Sequence, residues 1–384
     1  MKKKFFLFAL AALIMAACEP NVPFSGGGGG GGKTNDTGIP SDDDADPNPT
    51  INDTTVTLPG ITTTIDTDGG DIIIRLDMTG VIDPSTGEYL KLYGTNHPKQ
   101  NVWVEVDDEP KGIEVKNLSD SLGSKVKADL IFLVDNSGSM EEEADTIANG
   151  IEAWSKLLVS SGIDIQFGVV GYEGQITGGL DITTAAELAD FLDYGYGINR
   201  TYHFGGAYAD YLEAQAPSYY NSGWMDECGM AAFHFANENF HFRNGANRIY
   251  VNFTDEPNYY LGIDKFRTSW LLDHWVPTMG TIHSVYSDGI YAEENTYESE
   301  GSHDFPWRMA EYTGGTKLFA NYDFSGVQLS SLPVTGAMQN SYIIRFTNVT
   351  LDNKMHKVKV TIKNQSGSVA GELIFNILFA NPNA

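Results

Sequence analysis

The sequence predicts a mixed α/β protein in which a Rossmann-like, mostly parallel sheet flanked by helices is inserted in, or flanked by, an all-β sandwich domain. From Ala128 to about Gln339, apolar strand patterns alternate with helical ones, which is typical of a parallel sheet. On either side, residues 53–127 and 340–384 contain short β-branched and aromatic runs separated by Gly, Pro, Asn and Asp. A single sheet on its own leaves one face uncovered. We therefore expect the C-terminal strands to join the N-terminal strands in one sandwich; two separate small β domains are the alternative.

The first residues have the features of an export signal. Met1–Lys4 is basic, and Phe5–Ala17 is an apolar run that is too short to cross a bilayer. The run ends in Met15-Ala16-Ala17-Cys18, which resembles a bacterial lipobox, where small residues precede a Cys that is lipidated. Residues 1–17 are therefore predicted to be a lipoprotein signal peptide. The protein is expected to be an exported bacterial lipoprotein, held by lipid on Cys18 in the outer membrane or at the cell surface. An ordinary signal peptide with an incidental Cys is the alternative.

Residues 18–52 have a composition that favours a flexible tether. They include an unbroken run of glycines, Gly26–Gly32, followed by Asp42, Asp43 and Asp44. Glycine runs are flexible, and charged linkers repel themselves and extend. We expect this segment to hold the folded part of the protein away from a membrane.

The charge balance excludes one class of partner. The 384 residues include 24 Lys and Arg against 51 Asp and Glu, which gives a formal net charge of -27. Nucleic-acid binding depends on Lys and Arg displacing counterions from phosphates, so we expect no nucleic-acid partner. One of the two cysteines is Cys18. Its lipidation would leave no pair for an intramolecular disulfide, so the stability of the fold must come from packing.

The most informative stretch is Ala128–Met140 (ADLIFLVDNSGSM), an apolar strand followed by a short polar loop. Asp135, Ser137 and Ser139 occupy alternate positions in that loop. In an open α/β sheet, ligands bind beyond the carboxyl ends of the strands. A second strand, Arg248–Thr254, is followed by Asp255, which the topology should bring to the same edge. Hard oxygen donors of this kind suit Mg²⁺.

These residues resemble the von Willebrand factor type A family, whose metal-ion-dependent adhesion site combines an Asp-x-Ser-x-Ser loop with a later strand-terminal Asp. The resemblance covers residues 128–339 and implies metal ligands at Asp135, Ser137, Ser139 and Asp255. The ion that it implies is Mg²⁺, with Mn²⁺ or Ca²⁺ as alternatives. Two serine hydroxyls and one direct carboxylate would neutralise a divalent ion incompletely, so we expect one position on the metal to stay open, where an exposed Glu or Asp carboxylate of a partner protein can bind. Binding of this kind is metal-dependent and reversible.

The family's site has a further ligand, for which the sequence offers two candidates. Most members use a Thr from a loop, which corresponds to Thr201. Glu227 lies at the start of a predicted helix and resembles the ligand used by integrin beta subunits, and we favour it. In that subgroup acidic residues just after the serines hold a second, adjacent ion. Glu142 and Glu143 match those positions, although the first turn of a helix favours acidic residues without any metal.

Aromatic residues are concentrated in the loops around the predicted site. Tyr202, Phe204, Trp224 and Tyr259 are candidates for contact with the protein ligand, because Tyr and Trp offer rigid, amphipathic contact area. Packing within a long insertion is the alternative explanation for these side chains.

Three functions are compatible with these features. The first is a lipid-anchored surface adhesin, the second is a structural or tip component of a pilus-like assembly, and the third is a metal-dependent hydrolase. We do not expect an enzyme, since the chain contains no His-Glu-x-x-His pattern and the serine-rich loop offers no obvious general base. Cys228, with His203 or His234 as its base, is a further arrangement for catalysis. A lone Cys that opens a helix is more often a small buried residue.

Overall fold

The computed structural model describes residues 37–56, 59–68, 71–120, 126–141, 143–193, 204, 210–219, 227–287 and 303–380. The predicted signal peptide and Cys18 lie outside these ranges. None of the helices within them has both the length and the hydrophobicity needed to cross a lipid bilayer.

The described strands, in chain order, are β1 (Ile61–Asp68), β2 (Asp71–Met78), β3 (Val102–Val106), β4 (Glu109–Lys111), β5 (Glu114–Asn117), β6 (Lys127–Asp135), β7 (Asp164–Tyr172), β8 (Ile176–Thr183), β9 (Ala246–Thr254), β10 (Asn258–Tyr259), β11 (Thr281–Tyr286), β12 (His303–Asp304), β13 (Lys317–Phe319), β14 (Tyr342–Phe346), β15 (Met355–Lys363) and β16 (Ala370–Leu378). The described α-helices are α1 (Ala144–Ser160), α2 (Ala185–Leu192), α3 (Asp210–Gln215), α4 (Gly229–Asn239), α5 (Trp270–His274), α6 (Arg308–Thr313) and α7 (Val334–Gln339).

Strands from both ends of the chain make two antiparallel sheets. The first has the order β1-β2-β14-β5 and the second has the order β16-β15-β3-β4. In the first sheet, Ile344 of β14 pairs with Leu76 of β2 and with Val115 of β5. In the second sheet, Val360 of β15 pairs with Val104 of β3. Each sheet therefore contains strands from before and after the inserted region, whereas two separate β domains would have kept the ends of the chain in different sheets.

The inner faces of these two sheets share one apolar core. Ile74, Leu76 and Ile344 of the first sheet are buried in the same cluster as Val104 and Val360 of the second. The side chains of a strand alternate between its two faces, so each strand contributes every second residue to this core. The two sheets therefore form a sandwich.

Residues 37–56 lie against the sandwich, so the prediction of a flexible tether over residues 18–52 is wrong for residues 37–52. The carboxylate of Asp42 accepts a hydrogen bond from the Gly112 N–H (2.9 Å) and pairs with the Lys111 ammonium group (3.0 Å). A Cβ atom at position 112 would lie 2.3 Å from the carbonyl oxygen of Pro40, so only Gly permits this close approach. The like charges of Asp42, Asp43 and Asp44 suggest an extended chain, but the carboxylate of Asp42 instead accepts a specific hydrogen bond.

The inserted region forms a six-stranded sheet of order β13-β11-β9-β6-β7-β8. β8 runs antiparallel to β7, and the other neighbours are parallel. The chain moves outward from β6 to β8, returns to β9 beside β6, and then moves outward on the other side. The predicted fold class, a mostly parallel sheet flanked by helices together with an all-β sandwich, is confirmed. The direction of winding reverses between β6 and β9, and in such sheets ligands bind at this switch point.

Helices cover both faces of this sheet. The cluster on one face includes Phe132 of β6, Trp154 of α1 and Met338 of α7, and the cluster on the other includes Leu133 of β6 and Phe233 of α4. β6 is buried at every position after Lys127. This is the expected environment of a central parallel strand with helices on both sides.

An ion pair with a buried carboxylate lies where β6 and β7 begin, at the opposite end of the sheet from the carboxyl ends of the strands. Asp129, near the start of β6, is fully buried and accepts hydrogen bonds from the backbone N–H (2.7 Å) and the Nε–H (2.6 Å) of Arg243. The same guanidinium donates to the carboxylate of Asp164 on β7 and to the carbonyl oxygen of Ala128, both at 2.6 Å. Burial raises the pKa of Asp129, while the hydrogen bonds and charge of Arg243 oppose that rise. Arg243 therefore ties β6 and β7 to the turn that precedes β9.

We expect Arg243→Ala to lower the free energy of unfolding by about 3 kcal/mol, because it leaves the buried carboxylate of Asp129 without its cation. Urea titration of the full chain measures this loss. Lys156→Ala, which removes an exposed pair with Glu152 on α1, is the control and should cost less than about 1 kcal/mol. Equal losses in the two variants would contradict a special role for the Arg243–Asp129 pair.

Candidate metal centre

The polar loop of the predicted site begins where β6 ends. The N–H of Ser137 donates to Asp135 Oδ1 (2.9 Å), which folds the loop back over the end of the strand. The hydroxyl oxygens of Ser137 and Ser139 lie 3.0 Å apart, and Ser139 Oγ donates to Asp255 Oδ1 (3.1 Å). The structure thus brings together all four side chains of the Asp-x-Ser-x-Ser loop and the strand-terminal Asp.

The topology explains why these residues meet. β9 lies parallel to β6, with Phe253 opposite Val134. Asp135 ends β6 and Asp255 follows β9, so both carboxylates lie at the same edge of the sheet, at the switch point. Both residues are buried, whereas Ser139 is exposed. The accessible side of this site is therefore the side of Ser139.

Glu227, the first of the two residues that precede α4, also belongs to the site. It is buried, and its carbonyl oxygen accepts a hydrogen bond from the N–H of Tyr259 (2.8 Å). The start of α4 is held by Asn258, whose Oδ1 accepts a hydrogen bond from the N–H of Met230 (3.0 Å). The segment Asn258–Tyr259 that follows Asp255 therefore positions Glu227 as well.

Three carboxylates share this buried environment. Burial raises the pKa of Asp135 well above its usual value, and the negative charges of Glu227 and Asp255 add to that rise. Burial also raises the pKa of Glu227 to about 7, with further contributions from the charges of Glu256 and Asp255. Like charges in a poorly solvated place disfavour ionisation unless a cation balances them. The electrostatics of the site therefore favour a bound positive charge.

The donor atoms fit a hard divalent cation. All the candidate ligands present hydroxyl or carboxylate oxygens, which Mg²⁺, Mn²⁺ and Ca²⁺ prefer over nitrogen or sulfur donors. Within the described ranges, no group of three or more His, Cys, Asp or Glu side chains is arranged to hold a metal by itself. A metal ion at this place therefore depends on Ser137 and Ser139 as well as on the acids.

Thr254, the last residue of β9, is a further residue of the site that the loop motif and the strand-terminal Asp do not include. Its buried hydroxyl donates to Asp135 Oδ2 (2.7 Å), so both carboxylate oxygens of Asp135 have a protein donor. Deeper in the same sheet, the hydroxyl of Tyr172 donates to Asn252 Oδ1 (2.8 Å). Asn252 and Thr254 are polar residues at alternate positions of an otherwise mostly apolar strand. That alternation is the signal by which the sequence indicates a polar network behind the site.

The remaining predicted site residues are placed only in part. Glu143 is buried at the start of α1. Tyr259 is half-buried, and its ring centroid lies 5.1 Å from that of His303. The predicted ligands and contact residues that lie outside the described residues are Thr201, Glu142, Tyr202 and Trp224.

Phe204 does not offer the exposed contact predicted for it. Its side chain is 1% exposed and belongs to the core cluster that also contains Phe132 and Leu188. A Cβ atom on Gly171 would lie 1.9 Å from the carbonyl oxygen of Phe204, so the backbone at Phe204 lies directly against β7. For this residue, packing within the insertion is the correct explanation.

Cys228 is poorly suited to act as a nucleophile. Its thiol is buried, and burial raises the pKa of that thiol, whereas the thiolate is the reactive form. The imidazole of His234 has Nδ1 3.0 Å from Glu238 Oε1 and Nε2 2.8 Å from the carbonyl oxygen of Lys265. Both ring nitrogens of this candidate base therefore already have hydrogen-bonding partners.

Comparison with known proteins gives only distant similarities. No family model matches the chain, and no curated protein matches it. Similar solved structures include an aerotolerance-related membrane protein from Bacteroides fragilis, with 15% identity, coverage of 55% of this chain and 96% of that chain, and a TM-score of 0.32. The pilus adhesin SpaC from Lactobacillus rhamnosus GG has 10% identity, coverage of 82% and 55%, and a TM-score of 0.30. The vWF domain of the type V pili tip protein Mfa5 from Porphyromonas gingivalis has 11% identity, coverage of 36% and 40%, and a TM-score of 0.24. The function therefore has to be argued from the residues of the site.

We expect Thr254→Val to lower the affinity of the protein for Mg²⁺ about tenfold, because it removes the hydroxyl that orients Asp135 and keeps the size of the side chain. Thr254→Ser retains the hydroxyl and should retain most of the affinity. Calorimetric titration with Mg²⁺, after EDTA treatment and dialysis, measures both. Equal affinities in the two variants would mean that the hydroxyl has no part in the site.

Proposed function

We propose that residues 128–339 form a von Willebrand factor type A domain that holds a divalent cation and uses it to bind a protein ligand reversibly. Mg²⁺ is the expected ion, with Mn²⁺ and Ca²⁺ as alternatives. The observation that supports this most directly is the linked set of Ser137, Ser139 and Asp255 beside the buried carboxylate of Asp135. Oxygen donors gathered around buried negative charge at a switch point are what such a site requires.

The residues of the site would have different roles in holding the ion. Ser137, Ser139 and Asp255 would hold the ion, and Glu227 would be the further protein ligand. Asp135 would contribute negative charge while Ser137 N–H and Thr254 fix its orientation. When bound, the ion supplies a Lewis-acidic position that a carboxylate of a partner can occupy. Two of the ligands are neutral hydroxyls, and that of Ser139 is on the accessible side of the site, so a carboxylate from a partner could bind the ion directly at that position.

The overall charge explains why such binding would need the metal. The chain has a formal net charge of -27, so an acidic ligand approaching the bare site would be repelled. The approach from the exposed side of Ser139 leads directly to the buried acids. A divalent cation at this place would offset most of the local negative charge and would offer the incoming carboxylate a direct bond, so metal uptake would be the condition for recognition.

The proposed setting is outside the cytoplasm, with the protein held at a membrane by lipid on Cys18. The ligand is then either a protein outside the cell, which makes the domain an adhesin, or another envelope protein, which makes it a joint in a surface assembly. Both use the same site chemistry. They differ in where the protein with the exposed acidic residue comes from.

Removal of the metal or of its ligands should abolish binding. The full chain, immobilised in Mg²⁺, is expected to retain specific proteins that EDTA elutes, and Asp135→Ala and Ser137→Ala should retain none of them, since both lose the oxygen donors of the loop. Asp190→Ala, at an exposed position on α2, is the matched control and should behave like the unchanged chain.

Two sources of protein in that capture experiment separate the two roles. Retention of host matrix proteins supports adhesion, and retention of proteins from the cell's own envelope supports assembly. Retention that survives EDTA and both loop variants would overturn the proposed mechanism.

The further ligand can be identified from the thermal stability of two variants. Without metal, Glu227→Gln should raise the melting temperature, because it removes one of three buried like charges. With Mg²⁺, the same variant should show a smaller rise in melting temperature on metal addition than the unchanged chain, because a ligand is lost. Thr201→Val should change neither value.

Calorimetric Mg²⁺ titration of the same two variants gives an independent check. If Thr201→Val weakens Mg²⁺ binding and Glu227→Gln does not, the assignment of Glu227 is wrong and Thr201 is the ligand. If neither variant changes the affinity, both candidates are wrong.

A further inference from the structure

The strand β16 forms an edge of the sandwich, and its odd-numbered and even-numbered residues face in different directions. Odd-numbered residues bond to β15, as shown by Phe379, whose N–H donates to the carbonyl oxygen of Lys354 (3.0 Å). The side chains of Leu373, Phe375 and Ile377 are buried in the sandwich core. The even-numbered residues therefore direct their backbone N–H and C=O groups toward the free edge and their side chains toward solvent.

Among the described residues, the chain occupies outward backbone groups near both ends of this edge. At one end, Thr55 N–H donates to the carbonyl oxygen of Ala370 (2.8 Å), and Ala370 N–H donates to Thr55 Oγ1 (2.9 Å). At the other end, Ala380 N–H donates to the carbonyl oxygen of Leu378 (2.9 Å). Between these positions, no described residue hydrogen-bonds to the outward backbone groups of Ile374 or Asn376. An unpaired row of this kind is a template for another strand.

The solvent face beside this edge carries three exposed apolar side chains, next to Lys357 and Lys359 of β15. Ile374 is 52% exposed, Leu378 is 48% exposed, and Met355, which pairs with Leu378 from β15, is 60% exposed. Edge strands are usually protected by charged residues, proline or bulges. The stretch from Leu373 to Phe379 (LIFNILF) contains neither a charged residue nor a proline. Its pairing with β15 is regular along the whole strand.

We propose that β16 is the interface for a second copy of this protein, with the two β16 strands paired antiparallel around Asn376. In this register Asn376 lies opposite itself, and Ile374 of each copy lies opposite Leu378 of the other. In both strands the outward backbone groups belong to the even-numbered residues, so this register places these residues opposite one another. The exposed apolar side chains then cover one another on the same face, as cross-strand pairs do.

The alternative registers are less favourable than this one, and the charge distribution also favours it. A register centred on Ile374 would place Leu378 opposite Ala370, both of whose outward groups Thr55 already occupies, whereas the proposed register displaces only the Ala380 N–H from the carbonyl oxygen of Leu378. A register centred on Phe375 would place Leu378 opposite the carboxylate of Glu372. Each copy has a formal net charge of -27, and the uncharged stretch of β16 is where two copies can approach with little local repulsion. A closed twofold pair also leaves no further free β16 edge.

Disulfide trapping tests the register in membranes from cells that express the full chain. Asn376→Cys alone should give a covalent dimer under mild oxidation, since opposing residues of a bonded pair lie within disulfide range. Ile374→Cys and Leu378→Cys should each stay monomeric alone and form a dimer when expressed together. The unchanged chain, with Cys18 and the buried Cys228, is the control.

Mass measurement tests the association without any crosslink. The detergent-extracted chain should show twice the monomer mass, and high salt should strengthen the dimer by screening the repulsion between two acidic copies. Ile374→Lys should return the mass to that of the monomer, whereas Leu272→Lys, at an exposed position on α5, should not. A monomer at all concentrations, a dimer that survives Ile374→Lys, or trapping by Ile374→Cys alone would each overturn the proposal.

Discussion

The burial of Asp135 beside two other carboxylates is the constraint on which the site depends. β6 and β9 lie side by side at the reversal of the sheet, so Asp135 and Asp255 are forced to one edge. Glu227 adds a third negative charge from the start of α4. No arrangement of hydrogen bonds removes that charge. The surrounding N–H and O–H groups fix the orientation of the acids, and only protonation or a bound cation would balance them.

The rest of the domain holds this unfavourable cluster in place. Arg243 joins β6, β7 and the turn before β9 at the end of the sheet where Asp129 lies, and the carboxylates lie at the other end. Helices cover both faces between these ends. A site built on the ends of buried strands cannot relieve its repulsion by moving apart without disturbing the packing of the sheet. Because the sheet is rigid, the repulsion between the acids is not relieved when no metal is bound. The same rigidity makes the positions of the proposed metal-ligating oxygens well defined.

The sequence predicts the sheet, the sandwich and four site residues because each has a local signal. The apolar run before Asp135 and the spacing of Ser137 and Ser139 are visible without any structure. Other features depend on contacts between distant segments. The role of Thr254 depends on the pairing of β9 with β6, and the docking of Asp42 on Gly112 requires the sandwich to be formed already. Phe204 has no local sequence signal of a core residue, and its burial depends on contacts with distant segments such as β7.

The proposed metal site and the β16 edge belong to different parts of the fold, so one could act without the other. The edge lies in the sheet β16-β15-β3-β4 of the sandwich, and the proposed metal site lies at the end of the inserted sheet. A pair of copies joined through β16 would nevertheless present two metal sites on one assembly. Binding to a repetitive surface would then make the second contact intramolecular, and weak metal-dependent contacts would gain strength without any change in the site. Because each single contact would still depend on the cation, loss of metal would release both together.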